Sequence, residues 1–141
     1  AFVTSSITSV MTTLSIKNNI RSVADLPGLN VGVVDGSTAE SFALNNGLTI
    51  ISYPRVSAAA NALLSEQVQA VIGDRPVLEY YAQQHSGEPL TVVGAVFSPE
   101  KYGFGLTRNS PLRKAITVEV VGAHEDGTLR ELRAKYFGLN P

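Results

Sequence analysis

The sequence predicts an α/β domain built on a parallel sheet. First, short β-branched or apolar runs alternate with helices of about ten residues between residues 29 and 107, the order that gives parallel strands and right-handed crossovers. Second, turn and cap residues sit at the junctions of these runs. Third, the run at 68–73 is brief and apolar enough to be buried on both faces, as strands inside a parallel sheet are.

Each element has its own local reason. Asn30-Val31-Gly32-Val33-Val34 reads as a strand that ends in the turn Asp35-Gly36. Ser37-Thr38-Ala39-Glu40 has capping-box spacing and opens a helix that stops at Asn46-Gly47. Residues 48–53 read as a second strand closed by Pro54, and an Ala- and Leu-rich helix follows over 57–67. After the third strand, Asp74 is the N-cap of the next helix, with Pro76 in its first turn and an end near His85-Ser86-Gly87. Fourth and fifth strands are expected at 90–93 and 102–107.

Ser110-Pro111 caps a long helix that closes at Gly127, and Thr128-Leu129-Arg130-Glu131 is a second capping box. Leu129, Leu132 and Tyr136 give that last helix an apolar stripe. Two consecutive helices break the alternation, and such an ending often packs onto a neighbouring lobe. The start, Ala1 to Met11, is apolar and hydroxyl-rich, with no charge before Lys17. It fits an edge strand, a flexible start or the tail of a longer apolar helix. A signal peptide would need a basic start and a small-residue cleavage site, and neither is present.

Composition narrows the function classes. The chain has 141 residues without repeat or low-complexity tract, 44% of them hydrophobic and 16% charged, as expected of one soluble globular domain. Lys and Arg number 11 against 12 Asp and Glu, for a net charge of −1, which leaves no electrostatic footprint for nucleic acid. With no cysteine, disulfides and thiolate metal sites are excluded. His85 and His124 are the only imidazoles and have no metal-ligand partner at a suitable spacing, so no metal or cofactor is expected. No run of 18 apolar residues exists to span a bilayer.

Two loops can hold a ligand, because open α/β sheets bind at the carboxyl ends of their strands. The Gly36-Ser37-Thr38 turn offers backbone N–H groups, two hydroxyls and a helix N-terminus, which suit a carboxylate. The same residues are also explained as a helix cap. Asp74 can accept charge-assisted hydrogen bonds from an ammonium, or serve as a cap, or both. Catalytic signals are poor: no G-x-S-x-G elbow, H-E-x-x-H or P-loop occurs. Gly103-Phe104-Gly105 lacks the further glycine and helix of a dinucleotide fingerprint, Glu125-Asp126 reads as a surface pair, and His85 as a solvated cap. The chain therefore reads as a binding module and not an enzyme.

In order along the chain, several blocks resemble the second lobe of type 2 periplasmic binding proteins. They are Ser22-Val23-Ala24-Asp25-Leu26-Pro27-Gly28, Val31-Gly32-Val33, Gly36-Ser37-Thr38 and Val71-Ile72-Gly73-Asp74-Arg75-Pro76. Lys101 to Leu106, Asn109 to Arg113, Glu125 to Leu129 and Lys135 to Gly138 continue the match. Within that fold, Ser6-Ile7-Thr8-Ser9-Val10-Met11-Thr12 resembles the end of the pore-lining helix of prokaryotic ionotropic glutamate receptors. The resemblance implies a clamshell lobe with a parallel sheet and two C-terminal helices returning to the other lobe. Residues 1–16 would be the end of the pore helix and its linker, and 17–141 the second half of a bilobed ligand-binding domain. It also implies a periplasmic or extracellular domain of a membrane channel, gated when the clamshell closes on L-glutamate or another amino acid. The Ser37-Thr38 loop, with Gly36, would hold a ligand carboxylate, Asp74 the α-amino group, and Tyr102 would border the cleft.

The family's arginine that clamps the α-carboxylate comes from the first half, and no residue here matches it. The implied partners are thus the missing N-terminal half and the parent channel, with self-association or a swapped dimer open to the orphaned half. The alternatives are the amino-acid-binding protein of an ABC transporter, a periplasmic enzyme on the same fold, and a structural module whose loops are caps only.

Overall fold

The computed structural model describes residues 2–16 and 19–137, with the side chains of 2–10, 95, 96 and 98–103 outside the description. The chain forms two compact units, one of residues 10–98 and one of the residues up to 9 together with those from 99 onward. Strand β1 (Phe2–Ser15) is followed by a capped 3₁₀ turn (Val23–Asp25) and β2 (Asn30–Val34). Next come α1 (Thr38–Asn45), β3 (Thr49–Tyr53), α2 (Val56–Leu64), β4 (Ala70–Asp74) and α3 (Arg75–Gln84). The chain continues with β5 (Thr91–Gly105), α4 (Leu112–Glu125) and α5 (Thr128–Phe137).

The five strands lie in the order β3-β2-β4-β1-β5. β2 runs parallel to both β3 and β4, as the alternation predicts. β1 is the exception: it pairs antiparallel with β4, Met11 opposite Asp74 and Leu14 opposite Val71. A parallel connection needs a long crossover, usually a helix. Between β1 and β2 the described chain has only the 3₁₀ turn. Hence the opening segment is extended and internal to the sheet, neither an edge strand nor helical, and Met11 to Ser15 are buried.

Two apolar layers cover this sheet. Val31, Val33, Ala70, Ile72 and Met11 pack with Ala39 and Ala43 of α1, and the buried Leu26 and Ile20 belong to the same layer. On the opposite face Leu14 and Val71 meet Ala59, Ala60 and Leu63 of α2 and Leu78 of α3. Period-2 alternation thus divides β2: Val31 and Val33 pack in the layer with α1, while Gly32 faces the other layer. A Cβ on Gly32 would lie 3.2 Å from Val71 Cγ2, so the glycine leaves room for the neighbouring strand.

Some boundaries differ from expectation for identifiable reasons. α2 stops at Leu64, before the expected 67, where the chain turns through a left-handed Glu66 (φ 60°). The two strands expected at 90–93 and 102–107 are one strand, β5, which stays extended through Gly94 (φ 88°) and Pro99. At α5 the expected Thr128 cap is displaced: Asp126 accepts the Thr128 N–H at 2.8 Å. Hydrogen bonds from the Thr128 side chain and backbone hold the Asp126 carboxyl below the ordinary carboxylate value. α4 and α5 contain no buried residue.

Candidate functional site

The parallel register brings the carboxyl ends of the strands to one rim of residues 10–98, where Asp35, Gly36 and Thr38 are exposed. Val31 pairs with Ala70 and Gly32 with Val71, so the same register continued sets Asp35 level with Asp74. Adjacent strands lie about 4.8 Å apart. The turn after β2 and the end of β4 therefore stand side by side, with α1 leaving over one face of the sheet and α3 over the other. The end of β3 joins the same rim, because Val34 pairs with Tyr53 and Asp35 N–H donates to Tyr53 O at 2.8 Å.

The Gly36-Ser37-Thr38 turn is a helix cap and more. Gly36 has φ 69°, a left-handed conformation costing other residues about 1–2 kcal/mol. Ser37 N–H donates to Val34 O at 3.1 Å, and Ser37 Oγ accepts the Glu40 N–H at 3.2 Å. The capping reading of Ser37 is therefore correct. The reciprocal half of the box differs: Glu40 accepts from Gly36 N–H at 2.9 Å, one residue before the N-cap. Its other carboxylate oxygen accepts from Ser52 Oγ of β3. These bonds, Ser52 first and Gly36 second, hold the Glu40 carboxyl below its ordinary value. Thr38 is exposed at the first position of α1, where helix N–H groups have no intrahelical acceptor.

Asp74 occupies the expected N-cap position of α3, half-buried and in the β region (φ −60°, ψ 128°). Its carboxylate makes no cap hydrogen bond to α3. Arg75 beside it is paired to Glu79 within the helix. Gly36, Ser37, Thr38 and Asp74 are thus brought to one rim. Tyr102 lies in β5 among the residues from 99 onward, and its side chain is outside the described residues. His85 is the C-cap of α3 as expected; Nδ1–H donates to Tyr81 O at 2.8 Å, and its ring stacks on Tyr81 with centroids 4.0 Å apart. Among the described residues no group of three His, Asp or Glu is placed to hold a metal.

Two rim residues escaped the sequence reading. The spacing of Glu40 to Ser37 shows only a box partner, since its contact with Ser52 spans 12 positions and has no local signature. Arg55 is the exposed N-cap of α2, with no side-chain cap hydrogen bond, and brings a cation to the end of β3. Its position after Pro54, at the carboxyl end of a strand, was the available signal.

No protein-family model matches the chain. A solved structure does: the GluR0 ligand-binding core from Nostoc punctiforme in complex with L-glutamate aligns with 97% of this chain at a TM-score of 0.80 and 32% identity. The chain has the type 2 periplasmic-binding-protein fold. Glutamate receptor 3.2 of Arabidopsis thaliana is 28% identical over 142 residues, covering 95% of this chain. The L-cystine-binding protein TcyJ of Escherichia coli K12 is 29% identical over 127 residues, covering 88%. This periplasmic-binding-protein-like chain spans 66% of the GluR0 core, 15% of the plant receptor and 47% of TcyJ. These relatives are by name a glutamate receptor and an amino-acid-binding protein.

Proposed function

We propose that the chain is the second half of a bilobed amino-acid-binding domain belonging to a glutamate- or amino-acid-gated channel, in which closure on the ligand pulls on a gate. The observation that carries this reading is the shared rim, with the α1 turn and Asp74 on adjacent parallel strands at their carboxyl ends. The turn suits a ligand carboxylate through Thr38 and the first N–H groups of α1, and Asp74 suits the α-ammonium through charge-assisted bonds. Likeness to a core crystallised with L-glutamate supports glutamate as the first ligand to test. Tyr102 is proposed to border the cleft. A ligand shifts such a clamshell by its differential affinity for the closed state.

On this reading, residues 1–16 lead from a membrane segment, and the domain faces the periplasm or extracellular side. Among the described residues no helix is long and apolar enough to cross a membrane, and the pore is proposed to lie elsewhere in the parent protein. A preceding half of the domain supplies the arginine absent here and covers the apolar residues that α4 and α5 expose. Without it the orphaned half is open to self-association or swapping. A second reading, a soluble binding protein feeding a transporter, is favoured by the match to TcyJ. The parent gene separates them: a pore-forming segment directly before Ala1 supports the channel, and an uninterrupted first lobe supports the transporter.

Calorimetric titration of this chain with a panel of L-amino acids tests the half-site. Weak binding, or none until the missing half is supplied, is the expected outcome, and Asp74→Asn should abolish whatever saturable binding is seen. Low-micromolar or tighter binding would contradict the need for a second half. Indifference of the binding to Asp74→Asn would contradict the assignment of Asp74.

A further inference from the structure

Glu40 does more than close a capping box. In the usual box the N3 carboxylate returns to the N-cap N–H. Here that group is already spent, since Ser37 N–H donates to Val34 O at 3.1 Å. Glu40 reaches past it to Gly36 N–H at 2.9 Å, while its second oxygen takes the Ser52 hydroxyl. One carboxylate therefore joins the β2–α1 turn, the first turn of α1 and strand β3. The sheet makes this reach available: Ser52 shares its face of β3 with Ile50, which packs in the layer containing α1. The turn it secures is the one that must be rigid to present Thr38, and it contains the left-handed Gly36.

We propose that Glu40 is the positioning residue of the ligand loop, a latch that fastens Gly36–Thr38 to β3 and withholds Gly36 N–H from the ligand. The proposal rests on the amino-acid-binding reading for its consequence, though not for its geometry. A loop held in its binding conformation before the ligand arrives loses less entropy on binding. The latch bonds are charge-assisted, and such bonds are the stronger kind. Gly36, placed above among the residues that would hold the ligand carboxylate, becomes a turn-former whose N–H already has a carboxylate.

Amide hydrogen exchange and ¹⁵N NMR of the 141-residue chain test this on wild type, Glu40→Ala, Glu40→Gln and Ser52→Ala. Glu40→Ala should speed exchange at Gly36 roughly tenfold, the size expected for losing one hydrogen bond to a charged group. Glu40→Gln, which keeps a carbonyl acceptor, should recover part of the protection, and Ser52→Ala should give a smaller acceleration at the same amide. In titrations with L-glutamate and L-cystine, the variants should weaken binding in the same order. Ser41→Ala, an exposed change on the same helix, should leave it unchanged. Unaltered Gly36 exchange in Glu40→Ala would overturn the latch, and freed exchange with unchanged affinity would overturn its positioning role. If wild type bound neither amino acid even with the missing half added, the ligand reading would fall, and Gly36 exchange alone would uphold or overturn the latch.

Discussion

Residues 10–98 and the two C-terminal helices show opposite relations between sequence pattern and burial. α1, α2 and α3 each place at least one side chain in an apolar layer on the sheet, among them Ala39, Ala43, Leu63 and Leu78. α4 and α5 are as regular and are longer or equal in length, yet Leu112 is 58% exposed, Val118 60% and Leu132 43%. Helix formation in the second region is thus encoded by caps and propensity, while its apolar side chains lack a covering surface among the described residues. The contrast teaches that one unit can complete its apolar layers while the helices of the other keep large apolar side chains exposed.

The sharpest way to break this contrast is truncation on each side of it. Leu63→Ala removes a fully buried side chain and should cost about 2–5 kcal/mol in urea unfolding. Val118→Ala and Leu112→Ala should stay within about 0.5 kcal/mol, as exposed substitutions do. Equal losses at the three sites would mean that α4 is covered in solution by a second copy. A smaller effect is expected at the rim: Ser37→Ala removes the α1 cap and should cost about 1 kcal/mol, with exchange accelerating in the first turn of α1.

The smallest effect is in acid and compares the two units directly. Glu40 and Asp126 both have carboxyls held below their ordinary values, by hydrogen bonds from Ser52 and Gly36 in one case and from Thr128 in the other. A carboxyl whose folded pKa is depressed stabilises the fold above its unfolded pKa, and that stabilisation disappears as pH falls through the lowered folded value. Carboxyl carbon shifts followed by NMR should therefore titrate below the ordinary carboxylate range at both residues. Ser52→Ala should raise the Glu40 midpoint and leave Asp126 where it was.

Much of the sheet unit was legible because its signals are local. β-branched runs, the Asp35-Gly36 turn, Ser37 and Asp74 specify strand ends and caps within a few positions, and strand–helix alternation then orders β2, β3 and β4 in parallel. What escaped depends on pairing between distant segments. Nothing in the residues before Met11 distinguishes a strand from a longer apolar helix, and the pairing that decides it runs from Met11 to Leu14 along β4. Glu40 looked fully accounted for by its spacing to Ser37, and only the approach of β3 reveals the bond to Ser52. At Asp74 the position was legible but the bonding was not, since its carboxylate leaves α3 uncapped. Within β5 a glycine and a proline interrupt the sequence pattern of a run that the sheet keeps extended.

The central claim, an amino-acid half-site on the rim, is tested most directly by amide chemical-shift mapping of this chain titrated with L-amino acids, glutamate first. The account predicts saturable shifts at Thr38, Ala39, Asp74 and Arg75, with α4 and α5 silent. Shifts absent from the rim, or centred on α4 and α5, would contradict it.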